Sequence, residues 1–248
     1  MNIRISKNAD EVSRAAADEL LRLAKDAVRK RGEFTVALSG GSTPKRLYGL
    51  LASDEAEYRA QLPWDKIQFF FGDERHVPPD HADSNFRMAN EAMFAKSPVP
   101  EENIHRVKAE LPKASEAADE YEQTMRRVFH LKDGEIPRFD LVLLGMGADG
   151  HTASLFPGSP ALEEHERFFV ANRVAKFNAD RLTLTFPAIN NAAVCLFLVA
   201  GGDKTETLAR VLDAEAQEAT YPSQLVRPMN GELIWLVDEA ATGGSQKR

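Results

Sequence analysis

Four short apolar stretches, Phe34 to Leu38, Lys66 to Phe71, Phe139 to Leu144 and Val194 to Ala200, each run into a loop rich in glycine or ionisable residues. Helical spacing fills much of the sequence around them. From Asp10 to Arg31 the apolar residues Val12, Ala16, Leu20, Leu23, Ala24, Ala27 and Val28 recur at three and four, and Gly32 stands where a helix would be capped. Further helices are predicted from about Pro44, from Ser84 to about Ala95, from Ser115 to Leu131 and from Asp203 to about Leu212. Arg181 to Phe186 and Leu233 to Val237 read as two more strands. Strands that alternate with helices and are apolar on both faces predict an α/β fold with a parallel or mostly parallel sheet covered on both sides.

At 248 residues the chain is long enough to bury a large core. No internal repeat or linker divides it, so residues 1–242 are expected to form one domain with a frayed tail at 243–248. The net charge of -7, with no concentrated basic stretch, argues against nucleic acid as a partner. Cys195 is the single cysteine and lies in an apolar run, where it is expected to be buried and inert. No apolar stretch reaches membrane-spanning length, and the opening residues MNIRISKNADEV carry no secretory core, so a cytoplasmic setting and no membrane partner are expected.

In open α/β sheets ligands gather beyond the carboxyl ends of the strands. The first such loop, Ser39-Gly40-Gly41-Ser42-Thr43, matches no nucleotide-binding fingerprint. Its two glycines, its hydroxyls and the following helix N-terminus nevertheless suit an anion cradle, with Thr43 or Ser42 as helix cap and Pro44 at the first helical position. The same residues also suit an ordinary glycine turn. The second loop packs Asp73, Glu74, Arg75 and His76 together before two prolines. Solvated charges would explain it, but Arg75 stands out because a guanidinium holds phosphate bidentately. The third, Gly145 to Gly150 followed by His151, presents an imidazole at the ligand edge with Asp149 beside it, an arrangement suited to a general base. A metal site from Asp73, His76, Asp149 and His151 has no recognised ligand spacing, and no metal is expected. The fourth loop sets Lys204 in a first helical turn, where a cation gains only if an anion binds there. Arg181, Thr183 and Thr185 share one strand face and offer further polar contacts or simply a half-exposed strand.

The segments ALSGGSTPKRLY, FFGDERHVP followed by DSNF, and FDLVLLGMGADGHTASLFP resemble, in order and spacing, the three signature blocks of the 6-phosphogluconolactonase family. The resemblance extends over nearly the whole chain. It implies a Rossmann-like, mostly parallel sheet related to the glucosamine-6-phosphate deaminases, with a small accessory antiparallel portion. It also implies hydrolysis of a small phosphosugar lactone, 6-phospho-D-glucono-1,5-lactone, without a cofactor; apart from the resemblance, a monomer or weak homo-oligomer is expected. In that reading His151 activates water, supported by Asp149. Arg75 holds phosphate, Ser39 to Thr43 line the site, and Lys204 matches a basic residue of the family. Asp73 and Arg181 are further substrate-binding candidates. The related deaminases typically carry N-E-P after the shared D-G-H core, with a glutamate that shuttles protons, whereas this chain reads Ser154-Leu155-Phe156-Pro157 there. Gly72-Asp73-Glu74-Arg75 likewise replaces their M-D-E-Y type segment, and both departures favour the lactonase. A non-catalytic sugar-phosphate-binding module would keep the anion loops and have no need of Asp149-Gly150-His151.

Overall fold

The N-terminal strand β1 (Asn2–Ser6) leads into α1 (Ala9–Arg31) in the computed structural model, which describes residues 2–55, 57–213 and 221–244. The reasons for α1 are local. The Asn8 side chain accepts the Glu11 amide, Asp10 and Glu11 occupy the first turn, Arg29 to Arg31 the last, and Gly32 stops the helix at φ 85°. Its stripe of Val12, Ala16, Leu20, Ala24 and Ala27 is buried. Burial of a side chain such as Leu20 contributes roughly 1.5–3 kcal/mol.

There follow β2 (Phe34–Leu38), α2 (Ser42–Leu51), α3 (Tyr58–Gln61), β3 (Ile67–Phe71), β4 (Asp73–Arg75), α4 (Asn85–Ala92) and α5 (Ala114–Val128). The chain continues through β5 (Leu141–Leu144), β6 (Phe169–Val174), β7 (Ala179–Leu184), α6 (Phe186–Asn190), β8 (Val194–Val199), α7 (Thr205–Val211) and β9 (Glu232–Asp238). Six strands form one parallel sheet in the order β1, β9, β8, β5, β2, β3. β3 shows why both faces are apolar: Phe69 packs against Trp64 and Phe94 and Phe71 against Phe86, while Phe70 faces His105, Tyr121, Phe129 and Phe139. Strand order reverses between β2, whose successor β3 lies to one side, and β5, whose successor β8 in the sheet lies to the other. A crevice opens at the carboxyl ends of strands where the order reverses in this way. The loops after β2 and β5 open into it.

The accessory sheet is antiparallel, β4-β7-β6. Gly72 joins the two sheets: its amide donates to Leu38 in the large sheet and its carbonyl accepts from Leu184 in the small one, both at 2.8 Å. A Cβ on Gly72 would lie 3.3 Å from the Leu38 carbonyl oxygen.

Several sequence expectations need correction. β1 and β6 are strands that the sequence reading does not include: β1 is an edge strand with Ile3 and Ile5 exposed, and β6, which starts in the apolar run Phe168 to Ala171, is held by pairing with β7. α2 begins at Ser42 with Gly41 as its cap, no side chain caps it, and Pro44 stands third in it. The last part of the helix predicted from Ser84 is a separate turn at Phe94–Lys96. Thr183 and Thr185 are buried, bonded to Ser154, Leu184 and Arg167, and do not offer contacts to a ligand. Cys195 is buried as expected; its thiol donates to the Ile189 carbonyl at 3.2 Å and burial pushes its pKa up to about 12. In the expected tail, the Gly243 and Gly244 amides donate to Ala240 and Glu239, and 245–248 lie outside the described residues. Among the described residues no helix is long and apolar enough to cross a membrane.

Candidate active site

The loop after β2 is set by a buried phenol. Tyr48, on α2, accepts the Ser39 amide at 2.9 Å and donates to the Ser39 carbonyl at 2.8 Å, so one hydroxyl satisfies both polar groups of the last residue before the glycines. Gly41 adopts φ 107°, where a side chain would be strained. Gly40 lies against Asn85, whose Oδ1 would be 2.2 Å from an added Cβ. Among the described residues, none of the amides from Gly40 to Thr43 donates to a protein acceptor. They sit at a helix start beside open space, which is the requirement for an anion cradle.

β4 splits its three ionisable residues by strand alternation. Asp73 and Arg75 line the cleft, and Glu74 is buried beneath it. Glu74 accepts the Asn85 and Phe86 amides at 2.8 and 2.9 Å and the Ser84 hydroxyl at 3.1 Å, and so caps α4 from outside. Burial raises its pKa against the opposing amide bonds. Asp73 accepts from the Ser154 hydroxyl at 2.7 Å and from Asn85 Nδ2 at 3.3 Å. Arg75 anchors one guanidinium nitrogen on the Asp83 carbonyl at 2.6 Å. Directly across the ladder stands Arg181, whose pKa is lowered by burial and by the charge of Arg75. Its guanidinium carbon lies 5.2 Å from the Phe177 ring centre, and it does not line the cleft.

The loop after β5 is built around an imidazole. His151 Nδ1 lies 2.5 Å from Asp149 Oδ1, and Lys176 donates to Asp149 Oδ2 at 2.9 Å. Burial would raise the Asp149 pKa, but the bonds from His151 and Lys176 prevail and hold it at about 2. Phe156 stacks on the imidazole with ring centres 4.1 Å apart. Only glycine fits at 147, where a Cβ would come 2.1 Å from the His151 ring. The loop is pinned from behind by Ser223, which donates its hydroxyl to the Gly150 carbonyl at 2.8 Å, and by Thr207, which donates to Ala148 at 2.6 Å.

Lys204 completes the rim. It ends a short turn, Gly202–Lys204, and caps α7 rather than lying inside its first turn; its ammonium is 2.7 Å from Asp203. These loops enclose a cleft of about 240 Å³ that brings together Ser39 to Thr43, Asp73, Arg75, His151 and Lys204. Asp149 stands behind His151 rather than in the wall. His76 turns away to the Leu111 carbonyl at 2.8 Å, and among the described residues no three His, Cys, Asp or Glu side chains are grouped to hold a metal ion.

A cradle of unengaged amides, an arginine and a carboxylate-backed histidine on one sheet edge can bind a phosphorylated ligand and move a proton. Residues 7–235 match the family described as glucosamine-6-phosphate isomerases/6-phosphogluconolactonase. The chain belongs to this family. It is 45% identical over 224 residues to the 6-phosphogluconolactonase of a Nostoc species, covering 90% of each chain. The solved 6-phosphogluconolactonase of Trypanosoma cruzi superposes with a TM-score of 0.85 at 31% identity, over 99% of this chain and 97% of the other. A monomeric glucosamine-6-phosphate deaminase shares the fold, with a TM-score of 0.78 at 19% identity over 98% and 99% of the two chains. The deaminase-like fold expected from the sequence is therefore correct.

Within the framework of the isomerase/lactonase family, sequence reasoning missed Tyr48, Asn85, Phe156 and Lys176 as parts of the site. Asn85 stands inside the DSNF segment and Phe156 five residues beyond His151, so their proximity in sequence was a usable signal. Tyr48 follows Leu47 in the segment ALSGGSTPKRLY and carries no separate sign of a role at the loop. Lys176 gave no signal at all, because only the pairing of β6 with β7 carries it to Asp149.

Proposed function

We propose that this chain hydrolyses 6-phospho-D-glucono-1,5-lactone to 6-phospho-D-gluconate, the second step of the oxidative pentose phosphate pathway. The observation that carries the reading is that His151, backed by Asp149, shares one cleft with the amides of Gly40 to Thr43 and with Arg75. The substrate phosphate docks on those amides and on Arg75, with Lys204 and Arg181 adding positive charge and Asp73 holding the sugar end of the site. With Nδ1 engaged by Asp149, His151 Nε2 takes a proton from the water that attacks C1. Gly147 and Gly150 donate inside their own loop, to His151 and Gly147, so stabilisation of the oxyanion falls to the remaining amides, of which Gly145 and Met146 reach the cleft. The ring of Phe156 against His151 leaves Asp149 as the carboxylate bonded to the imidazole among the described residues. That supports ester hydrolysis over an isomerisation that needs a second proton carrier.

We place the reaction in the cytoplasm, in one domain spanning 1–242, as a monomer or weak homo-oligomer without cofactor. The deciding experiment supplies freshly generated lactone and follows its loss with spontaneous opening subtracted. Turnover well above background is expected. Loss of the lactone at the background rate, with the phosphosugar still bound, would instead favour a binding module.

A further inference from the structure

The turn between β6 and β7 touches the histidine loop twice. It is formed by Ala175–Phe177 and closed by Asn178 in the left-handed region at φ 47°. Lys176 reaches Asp149 Oδ2 at 2.9 Å. Phe177 meets Phe156 edge-on, with ring centres 5.5 Å apart, and Phe156 in turn stacks on His151. Asp149 itself is only partly covered, its side chain 28% exposed. A single bond to an imidazole leaves a partly exposed carboxylate free to swing about its last torsion, whereas a second bond at the other oxygen holds its plane and so the line of the first bond.

We propose that Lys176 is the positioning residue of the dyad: by occupying Oδ2 it holds Oδ1 on His151 Nδ1, fixes the Nδ1-protonated tautomer and leaves Nε2 as the base that faces the cleft. The inference rests on the lactonase reading for its kinetics but not for its geometry. Lys176 lies on the turn that joins two strands of the accessory sheet, whereas the loop it serves follows a strand of the large sheet, and its side chain is 63% exposed, as expected of a clamp over the pair rather than a core member. Such a support acts through orientation, so its removal should reach kcat and leave phosphate capture alone.

The test compares Lys176→Ala and Lys176→Arg in the full chain. For Lys176→Ala we expect kcat to fall about three- to tenfold with KM within about twofold, the scale of a partly exposed supporting pair. Lys176→Arg should recover most of the loss. In parallel, nitrogen NMR of the imidazoles, with His151 assigned by the signals missing in His151→Asn, should show one fixed tautomer in the parent and an averaged pair in Lys176→Ala. Unchanged kcat with an unchanged tautomer, a rise in KM instead, or no rescue by arginine would each overturn the proposal. If the parent chain fails to hydrolyse the lactone, the functional reading falls, and the NMR comparison still decides the role of Lys176.

Discussion

The two facing walls of the cleft are made differently. The Ser39–Thr43 wall presents backbone amides, and its side-chain support, Tyr48 and Asn85, serves to hold the backbone still. The Gly145–His151 wall presents an imidazole, held by Asp149, Lys176 and Phe156. Their buried or half-buried carboxylates also differ in sign: Glu74, beneath the first wall, is raised by burial, whereas Asp149 is drawn down to about 2 by its bonds from His151 and Lys176 despite its burial. Capture of an anion needs fixed dipoles and no titration, while transfer of a proton needs a side chain that can change charge. Changes in the first wall should therefore appear in KM and changes in the second in kcat.

The largest effect should come from the second wall. His151→Asn is expected to lower kcat by roughly 10²-fold or more, the scale of a lost general base, with a small change in KM. Near-parental turnover in a folded variant would remove His151 from the reaction. Next is Arg75→Ala, expected to raise KM and weaken inhibition by 6-phosphogluconate about ten- to hundredfold, since a charge-assisted bond contributes roughly 1.5–3 kcal/mol. Titration calorimetry with the product checks it, and equal affinity for both proteins would leave Arg75 a structural residue of β4.

Gly40→Ala tests whether the first wall works by shape. Its Cβ would collide with Asn85, so a loss of about 1–3 kcal/mol in denaturant unfolding is expected, together with a higher KM and a nearly preserved kcat. A fall in kcat alone would break the division between the walls.

The smallest effect is on stability in acid. Asp149 has a folded pKa below its unfolded value of 3.8, so the stability it contributes is present above pH 3.8 and is lost as pH falls toward about 2. Solvent screening of this half-exposed pair reduces the contribution to about 1 kcal/mol. Glu74 runs the opposite way: its raised pKa makes the ionised form costly, and acid relieves that cost. Comparing the parent with Asp149→Asn at pH 4.5 and 2.5 isolates the first term. The variant should lose less stability over that interval, and parallel losses would show that the pair does not hold the loop.

The first wall was largely legible in the chain, and the second only in part. Short apolar runs ending in glycine, with helical spacing between them, determined a parallel α/β sheet and placed Gly40, Gly41, Arg75, Asp149 and His151 at its ligand edge. These are local consequences: strand and helix period, a helix start, and a carboxylate two residues from an imidazole. The tertiary structure alone decided which of those groups share the cleft. Arg181 ended beside Arg75 but outside the cleft wall, His76 turned toward Leu111, and Thr183 and Thr185 were buried in the accessory sheet. Tyr48 and Lys176 entered the site from elements whose own patterns carried no sign of it, and Asn85 from a segment where its place in DSNF was the hint. Period and propensity act over a few residues along the chain, whereas Lys176 reaches Asp149, 27 positions away, only because an antiparallel hairpin folds back over the end of a parallel strand.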